Sequence, residues 1–243
     1  MPTLRVIGAG RAGRSLAKAL SSVGWDVVEL IGRGAPVHDA AGGVDVLVIA
    51  TPDDVVAEVA AAVQPVDDTL VVHLSGSLTL GVLDAHARAA SLHPLASLPD
   101  PEAGARTLLS GCPMALAGDP GVSELAGALG ARAFHVPDEH RALYHATAVV
   151  AANHLTAVMA QVERLADACE VPSDVFLQLA AQSLDNIRAV GARAALTGPA
   201  ARGDTATLQR HLEALPEAEH ELYLELARQC AAIAGQSQKV SPC

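Results

Sequence analysis

Short apolar runs separated by turn-forming residues dominate the first 137 residues of the chain. Between the first two runs, Leu16, Leu20 and Val23 recur at helical spacing. Apolar strands that alternate with helices build a parallel sheet covered on both faces, so the pattern predicts an α/β fold. The predicted strands are Thr3 to Ile7, Trp25 to Ile31, Val44 to Ala50, Leu70 to Leu74, Ala90 to His93, Pro113 to Ala117 and Ala133 to Val136.

After Pro137 the spacing of apolar residues becomes helical. A run without helix breakers predicts one long helix from Asp138 to about Glu170. Three more helices are predicted at roughly Ser173 to Leu196, Asp204 to Leu215 and Pro216 to Ala234. The pattern thus predicts a sheet domain over residues 1–137, an all-helical domain over residues 138–235 and a flexible tail over residues 236–243. Apolar residues surround much of the first helix, so we expect the helical domain to pair with a second copy in a homodimer.

The composition agrees with two domains and argues against a nucleic-acid partner. The chain has 243 residues, more than the commonest size of one domain. Apolar residues make up 51% of it and aromatic residues 2%, which favours a core of Ala, Val and Leu in an α/β fold. A net charge of -11 and a pI near 5.2 repel phosphate backbones, and no basic stripe appears. We therefore expect no nucleic-acid partner.

The cysteines and the first residues of the chain indicate the compartment in which the protein is expected. Four cysteines without CxxC or His-Cys spacing indicate neither a disulfide scaffold nor a metal site, which fits a reducing compartment. The strand pattern begins at once, without the charged and apolar leader of a signal peptide. The most apolar later stretch, Ala146 to Ala160, is interrupted by Asn153 and His154 and is shorter than the roughly 20 residues that span a bilayer. We expect a cytoplasmic protein with no membrane segment.

A glycine-rich turn follows the first strand. Gly8, Gly10 and Gly13 form a GxGxxG motif, with Arg11 and Ala12 inside it, that opens the first predicted helix. The motif is weak alone, but here it stands between a strand and a helix and about 20 residues before the second strand ends. In that context the glycines let a pyrophosphate approach the helix N-terminus. The sequence therefore predicts a Rossmann-type dinucleotide site on residues 8 to 13.

The end of the second strand indicates which dinucleotide binds. The acidic residue expected there for the ribose 2'-hydroxyl of NAD is missing, and Gly32-Arg33 stands in its place. A charge-assisted contact from Arg33 to a 2'-phosphate predicts NADP(H) as the cofactor. The alternative interpretation is a solvated loop arginine.

Polar residues also follow the third strand. Thr51 and Pro52 leave the edge of the sheet where α/β proteins bind ligands, so we expect them to contact the cofactor. We expect the next residues, Asp53 and Asp54, to cap the following helix rather than to bind a ligand.

The next two strand ends carry candidates for substrate contact. Ser75 and Gly76 follow the fourth strand and His73, and we predict that Ser75 touches the cofactor and Gly76 the substrate. His93 lies at the end of the fifth strand, after Ser91, and is a candidate catalytic residue beside the nicotinamide end of the cleft.

The predicted long helix carries further polar groups. His145, Val149 and Asn153 follow one face at steps of four residues, and His145 and Asn153 lie about 12 Å apart at 1.5 Å per residue. Both are candidate catalytic residues around a small ligand, although a lone helical histidine is often structural. His154 points nearly opposite and is expected to be a packed or surface residue.

A last candidate site is the turn from Leu196 to Asp204. Its free backbone donors, with Thr197 and Arg202, are suited to hold a substrate carboxylate. Asp204 is expected to cap the following helix. The alternative interpretation is an ordinary loop between helices.

Together these motifs resemble a bacterial family of Rossmann-like proteins with a C-terminal domain of unknown function. The family is distantly similar to pyrroline-5-carboxylate reductase and to deazaflavin-dependent NADP reductases. The resemblance covers nearly the whole chain and implies an NADP-dependent reductase that dimerises through its helical domain. Some members of the wider group are thought to be alternative ketopantoate reductases of pantothenate synthesis, which implies ketopantoate as a candidate substrate. The motifs are Gly8 to Gly13, His73-Leu74-Ser75-Gly76, Ser91-Leu92-His93-Pro94, Tyr144-His145-Ala146 with Asn153, and Leu196 to Pro199 through Arg202-Gly203-Asp204.

The chain departs from better known ketopantoate reductases, which resemble it but use a lysine on the long helix with an asparagine one turn later. Position 149 is Val, and the chain's lysines are Lys18 beside the glycine turn and Lys239 near the C-terminus. A lysine proton donor is therefore not expected.

The leading hypothesis is hydride transfer from NADPH to a small 2-oxo acid. Either His145 or His93 would supply the proton. Asn153 and Ser75 would position the carbonyl, and Arg202 would anchor the carboxylate. The alternatives are an imine reductase or prephenate-type dehydrogenase that acts on another small carboxylate, and a non-catalytic NADP sensor on the same fold.

Overall fold

The computed structural model describes residues 1–235, so the predicted tail 236–243 lies outside the described residues. The chain divides into two compact units, one of residues 1–152 and one that begins at Asn153. Among the described residues, no helix is both long and apolar enough to cross a membrane.

Within these residues the first unit contains a seven-stranded sheet in the order β2-β1-β3-β4-β5-β6-β7. Neighbouring strands are parallel except β5 and β6. The α/β fold class is confirmed, and each predicted strand is present within one or two residues of its predicted ends. The strands are β1 (Thr3–Ile7), β2 (Asp26–Ile31), β3 (Val46–Ile49), β4 (Leu70–His73), β5 (Ala89–Pro94), β6 (Pro113–Gly118) and β7 (Arg132–His135).

Helices cover both faces of this sheet, as the apolar strands predict. On one face, Leu16 and Leu20 of one helix pack with Leu108 and Leu125 of two others. On the other face, Val56 packs against the sheet with Leu83 of a 3-10 turn, Leu80–Leu83. The helices of this unit are α1 (Arg11–Ser22), α2 (Asp53–Ala62), α3 (Pro101–Leu108), α4 (Val122–Ala128) and α5 (Arg141–Val149).

The prediction of a wholly parallel sheet is wrong at one position, because β5 and β6 are antiparallel. The segment between them contains α3, which packs along α1. Gly104 makes this approach possible, since a side chain there would overlap the Ser15 hydroxyl. The chain returns at the edge it left, where the Leu95 amide donates to the Pro113 carbonyl over 2.9 Å. β6 therefore runs back antiparallel to β5.

The predicted long helix is also interrupted. A 3-10 turn, Asp138–His140, precedes α5, and a π-helical segment, Val150–His154, follows it. The division at 152 and 153 lies later than the predicted boundary at 137 because Asp138, Arg141 and Tyr144 bond to the sheet unit.

The second unit is helical, as predicted. Its small core contains Ala200, Leu208 and Ala227. The helix predicted from Ser173 ends at Val190, because Gly191 adopts a φ of +83° that breaks the helix. The helices are α6 (Leu155–Ala168), α7 (Ser173–Val190), α8 (Ala192–Ala195), α9 (Pro199–Arg202), α10 (Thr205–Ala214) and α11 (His220–Ile233).

Candidate functional site

The glycine turn lies between β1 and α1, at the point where the strand order reverses between β1 and β3. Gly8 has a φ of +113°, and a Cβ on it would lie 2.5 Å from the Ala50 carbonyl oxygen. A Cβ on Gly13 would overlap the Gly8 carbonyl oxygen. At Gly10, by contrast, a Cβ would meet no described atom within 4 Å. Two glycines thus allow tight packing, and the third leaves open space in front of the helix.

No side chain caps the start of α1, and its first turn carries no acidic residue. Its first backbone amides therefore face the open space at Gly10, where an anion would be stabilised. Arg11, the first residue of α1, is exposed, and Ala12 is partly exposed beside it.

Arg33 lies two residues beyond the end of β2, the strand next to β1. Its side chain is exposed and makes no hydrogen bond or ion pair with the part of the chain that the structure describes. The guanidinium is thus available to a ligand at this edge of the sheet.

The residues after β3 and β4 are joined by hydrogen bonds. The hydroxyls of Ser75 and Ser77 donate to one carboxylate oxygen of Asp53, over 2.7 and 2.6 Å. The predicted capping role is wrong, because α2 starts at Asp53 after Pro52 and has no side-chain cap. Asp53 instead fixes the loop after β4, while Asp54 is exposed in the first turn of α2. The sequence did not reveal this bond, which depends on two loops meeting in space.

Thr51 and Pro52 lie at this edge as expected. Pro52 is exposed, whereas the Thr51 hydroxyl is buried without a hydrogen-bond partner among residues 1–235.

Arg141 is buried to 1% exposure beneath this loop. Its guanidinium donates to the Ser75 carbonyl oxygen over 3.3 Å and to the Ser91 hydroxyl. Its Nε lies 3.8 Å from a carboxylate oxygen of Asp138, whose other oxygen accepts the Leu80 amide. One cation therefore joins the start of α5 to the ends of β4 and β5. Arg141 was not predicted as a site residue, since nothing in the helical pattern distinguishes it from a surface arginine.

His93 and His145, both predicted from the sequence, lie together. Their ring centroids are 6.0 Å apart, and both rings contact Gly76. A Cβ on Gly76 would lie 2.7 Å from His93 Nε2 and 2.8 Å from His145 Cδ2. His93 Nδ1 is 2.7 Å from the hydroxyl of Tyr144, a residue of the Tyr144-His145-Ala146 motif for which the sequence predicted no role. The structure therefore brings a strand-end histidine, a helical histidine and a glycine into one cluster.

Burial and charge lower the pKa of His93 to about 4. Burial is the main cause, followed by the positive charges of His145 and Arg141. His93 is therefore neutral near pH 7. Burial also raises the pKa of Tyr144, whose hydroxyl keeps its proton.

His73, at the end of β4, is fully buried, and neither ring nitrogen has a hydrogen-bond partner among the described residues. Burial, with the charge of Arg141 as the second cause, lowers its pKa to about 4. His73 is thus a neutral core residue beneath the site.

The remaining predicted residues belong to the second unit. Asn153 and His154 are exposed in the π-helical segment, and Thr197 is exposed between α8 and α9. Arg202 is exposed at the end of α9. Asp204 caps α10 as expected, because its carboxylate accepts the Thr207 amide over 3.0 Å.

Comparison with known proteins agrees with the resemblance seen in the sequence. Residues 114–230 match a family model described as a domain of unknown function, DUF2520. No curated protein matches the chain.

Several solved structures share the fold over the whole chain. A Bacteroides fragilis protein, provisionally described as an NADP oxidoreductase, is 20% identical with a TM-score of 0.79, covering 95% of this chain and 98% of that one. A Thermotoga maritima protein is 22% identical with a TM-score of 0.68, covering 97% and 99%. The pyrroline carboxylate reductase of Plasmodium falciparum, solved with NADP bound, is 12% identical with a TM-score of 0.62, covering 99% and 98%. Together with the family match, these structures confirm the predicted resemblance and the Rossmann-type fold.

Proposed function

We propose that the protein is an NADP(H)-dependent oxidoreductase that reduces a small 2-oxo acid, with ketopantoate as the first substrate to test. The observation that carries the proposal is the placement of the glycine turn and the His93–His145 pair at the same carboxyl edge of one sheet. That edge is where α/β proteins of this type bind nucleotides and substrates. Two of the proteins that share the fold support the cofactor, since one is described as an NADP oxidoreductase and another was solved with NADP.

The residues present fit the cofactor. Gly10 leaves room for a pyrophosphate in front of uncapped amides, and Gly8 and Gly13 let strand and helix approach closely. Arg33 is unpaired within residues 1–235 and exposed, as a contact to the 2'-phosphate requires. When bound, NADPH supplies the hydride that the reduction needs.

The histidine pair supplies the proton. Reduction of a 2-oxo acid adds a hydride to the carbonyl carbon and a proton to the carbonyl oxygen, and gives a 2-hydroxy acid and NADP⁺. Because His93 is neutral, we assign the proton transfer to His145. Gly76 keeps the two imidazoles together, and Ser75 fixes the loop that carries it. The roles of Asn153, Thr197 and Arg202 remain predictions from the sequence.

We also propose that the protein is a homodimer that pairs through α7. Among the described residues of this 18-residue helix none is buried. Several exposed apolar side chains on one helix are typical of a subunit interface. The exposed apolar side chains are Val175, Leu177, Leu179, Leu184, Ile187 and Val190.

The direct test is the loss of NADPH absorbance with the purified full-length protein and a panel of 2-oxo acids that includes ketopantoate. We expect turnover with at least one of them. We expect His145→Ala to lower kcat by about 10²- to 10⁴-fold, the usual contribution of a general acid. His154→Ala, a change at an exposed histidine of the neighbouring helical segment, is the matched control and should leave kcat unchanged.

Calorimetry with NADPH separates the alternatives. Tight binding without turnover of any acid would favour a non-catalytic sensor. Absence of NADPH binding by the folded protein would overturn the proposal.

A further inference from the structure

The environment of His93 is asymmetric around its ring. Nδ1 faces the Tyr144 hydroxyl at 2.7 Å, and the two rings meet edge to face at 89° with centroids 5.5 Å apart. Phe134 packs on Tyr144 with centroids 6.0 Å apart. The opposite nitrogen, Nε2, faces Gly76 and the side on which His145 lies. Tyr144 thus contacts Nδ1 of His93, the nitrogen on the side away from His145.

The protonation states decide the direction of this hydrogen bond. A neutral imidazole has one N–H donor and one lone pair, and the partner of one nitrogen fixes the state of the other. Burial lowers the pKa of His93 and raises that of Tyr144, so both groups are neutral. A neutral phenol is a better donor than acceptor, and an imidazole lone pair is a strong acceptor. The hydroxyl therefore donates to Nδ1, and the ring proton lies on Nε2.

We propose that Tyr144 is a positioning residue that fixes His93 as its Nε2–H tautomer, and that this N–H is a second donor to the substrate's carbonyl oxygen beside His145. The second half of this inference rests on the proposed function. In this arrangement His145 transfers the proton and His93 polarises the carbonyl without losing its own proton. Two donors on one oxygen would stabilise the negative charge that develops there as hydride arrives.

Both rings contact Gly76, which places the imidazoles of His93 and His145 side by side. His93 Nε2 and His145 Cδ2 each lie within 3 Å of the position that a Gly76 Cβ would take. His93 is also the one of the pair that is held in place, by the sheet on one side and by Tyr144 on the other.

The chain contains a matched control for this contact. Its only other tyrosine, Tyr223, places its hydroxyl 2.6 Å from Nδ1 of His211, with ring centroids 5.9 Å apart. That pair lies in the second unit and has no assigned part in the reaction. Tyr144→Phe and Tyr223→Phe therefore remove the same hydrogen bond, one at the site and one elsewhere.

The first test is ¹⁵N NMR of the histidine rings in the ligand-free full-length protein, with the His93 signals assigned by their loss in His93→Gln. We expect Nε2 to be protonated and Nδ1 to be an unprotonated hydrogen-bond acceptor. Tyr144→Phe should shift Nδ1 toward the position of a free lone pair, whereas Tyr223→Phe should shift only His211. A protonated Nδ1 in the wild type, or an Nδ1 unchanged in Tyr144→Phe, would overturn the inference. This result does not depend on any substrate or cofactor.

The second test is kinetic and uses whichever 2-oxo acid is reduced. We expect Tyr144→Phe to lower kcat by about tenfold, as for the loss of one oriented hydrogen bond, with the NADPH Kd unchanged. Tyr223→Phe should match the wild type. The correct tautomer combined with an undiminished kcat in Tyr144→Phe would refute the donor role of His93.

Discussion

A single methyl group on Gly76 would displace both histidines of the candidate site. An alanine Cβ would lie 2.7 Å from His93 Nε2, 2.8 Å from His93 Cε1 and 2.8 Å from His145 Cδ2. Carbon atoms pack at about 3.5 to 4.0 Å, so Gly76→Ala must push both rings away by roughly 1 Å. The backbone is not the obstacle, because Gly76 does not have a positive φ.

We expect Gly76→Ala to lower the activity more than the stability. Overpacking of a core typically costs about 1 to 3 kcal/mol, and the low end applies here because the clashing atoms are the ends of partly exposed side chains. For catalysis, a misplacement of about 1 Å is enough to lower a rate about 10²-fold. We therefore expect kcat to fall by about two orders of magnitude while the free energy of unfolding falls by about 1 kcal/mol.

The assay pairs two measurements on each protein: urea unfolding and NADPH oxidation with the substrate found in the panel. Gly127→Ala in α4 is the matched control, since a Cβ there meets no described atom within 4 Å. That change should stabilise the protein by about 0.5 to 1 kcal/mol through helix propensity and leave kcat unchanged.

Two results would show the reasoning to be wrong. If Gly76→Ala keeps the wild-type kcat, the histidine pair does not contact the reacting atoms. If it instead lowers the free energy of unfolding by much more than 3 kcal/mol, the rings are part of a rigid core and cannot move as assumed.

Three further predictions concern the cofactor, the buried histidine and the dimer. Arg33→Ala should reduce the preference for NADPH over NADH by about 10- to 100-fold in calorimetry, the loss of one charge-assisted contact, and an unchanged ratio would refute the assignment. The pKa of His73 is about 4 in the folded protein and about 6.5 in the unfolded chain. As the pH falls from about 6.5 to about 4, the unfolded chain takes up a proton that the folded protein does not, so the free energy of unfolding should fall by about 3 kcal/mol. His73→Leu should remove this part of the pH dependence in urea unfolding at pH 7.5 and pH 4, and an unaltered pH profile would contradict the burial argument. Leu179→Glu, at a position 58% exposed on α7, should shift the protein from dimer to monomer in sedimentation, and a wild type that is already monomeric would refute the proposed interface.

The fold was largely predictable because its signals are local. Strand runs, the GxGxxG turn and helical spacing each act over a few residues, and the seven strands lie where the apolar pattern predicts them. The direction of β6 was not predictable. It depends on how β6 pairs with β5, and the close packing of α3 on α1 at Gly104 between these strands is likewise a contact between distant segments.

The site was predictable only in part, for the same physical reason. His93 and His145 were identified from residue type and position, and the structure places them together. The partner of His93, Tyr144, and the contact of Asp53 with the Ser75 loop depend on how segments far apart in sequence meet. No local pattern reports such contacts.

Arg141 holds the helix that carries His145 next to the strand that carries His93. It lies one helical turn before His145 on α5, and its bonds to Ser75 and Ser91 fix that helix to the strand ends that carry Gly76 and His93. Burial of a cation is costly, and an apolar residue of similar size often gives equal or better stability at such a position. The same charge is one of the causes that lower the pKa of His93. We infer that the cation serves position and charge rather than stability, since it holds α5 against the strand ends and helps to keep His93 neutral.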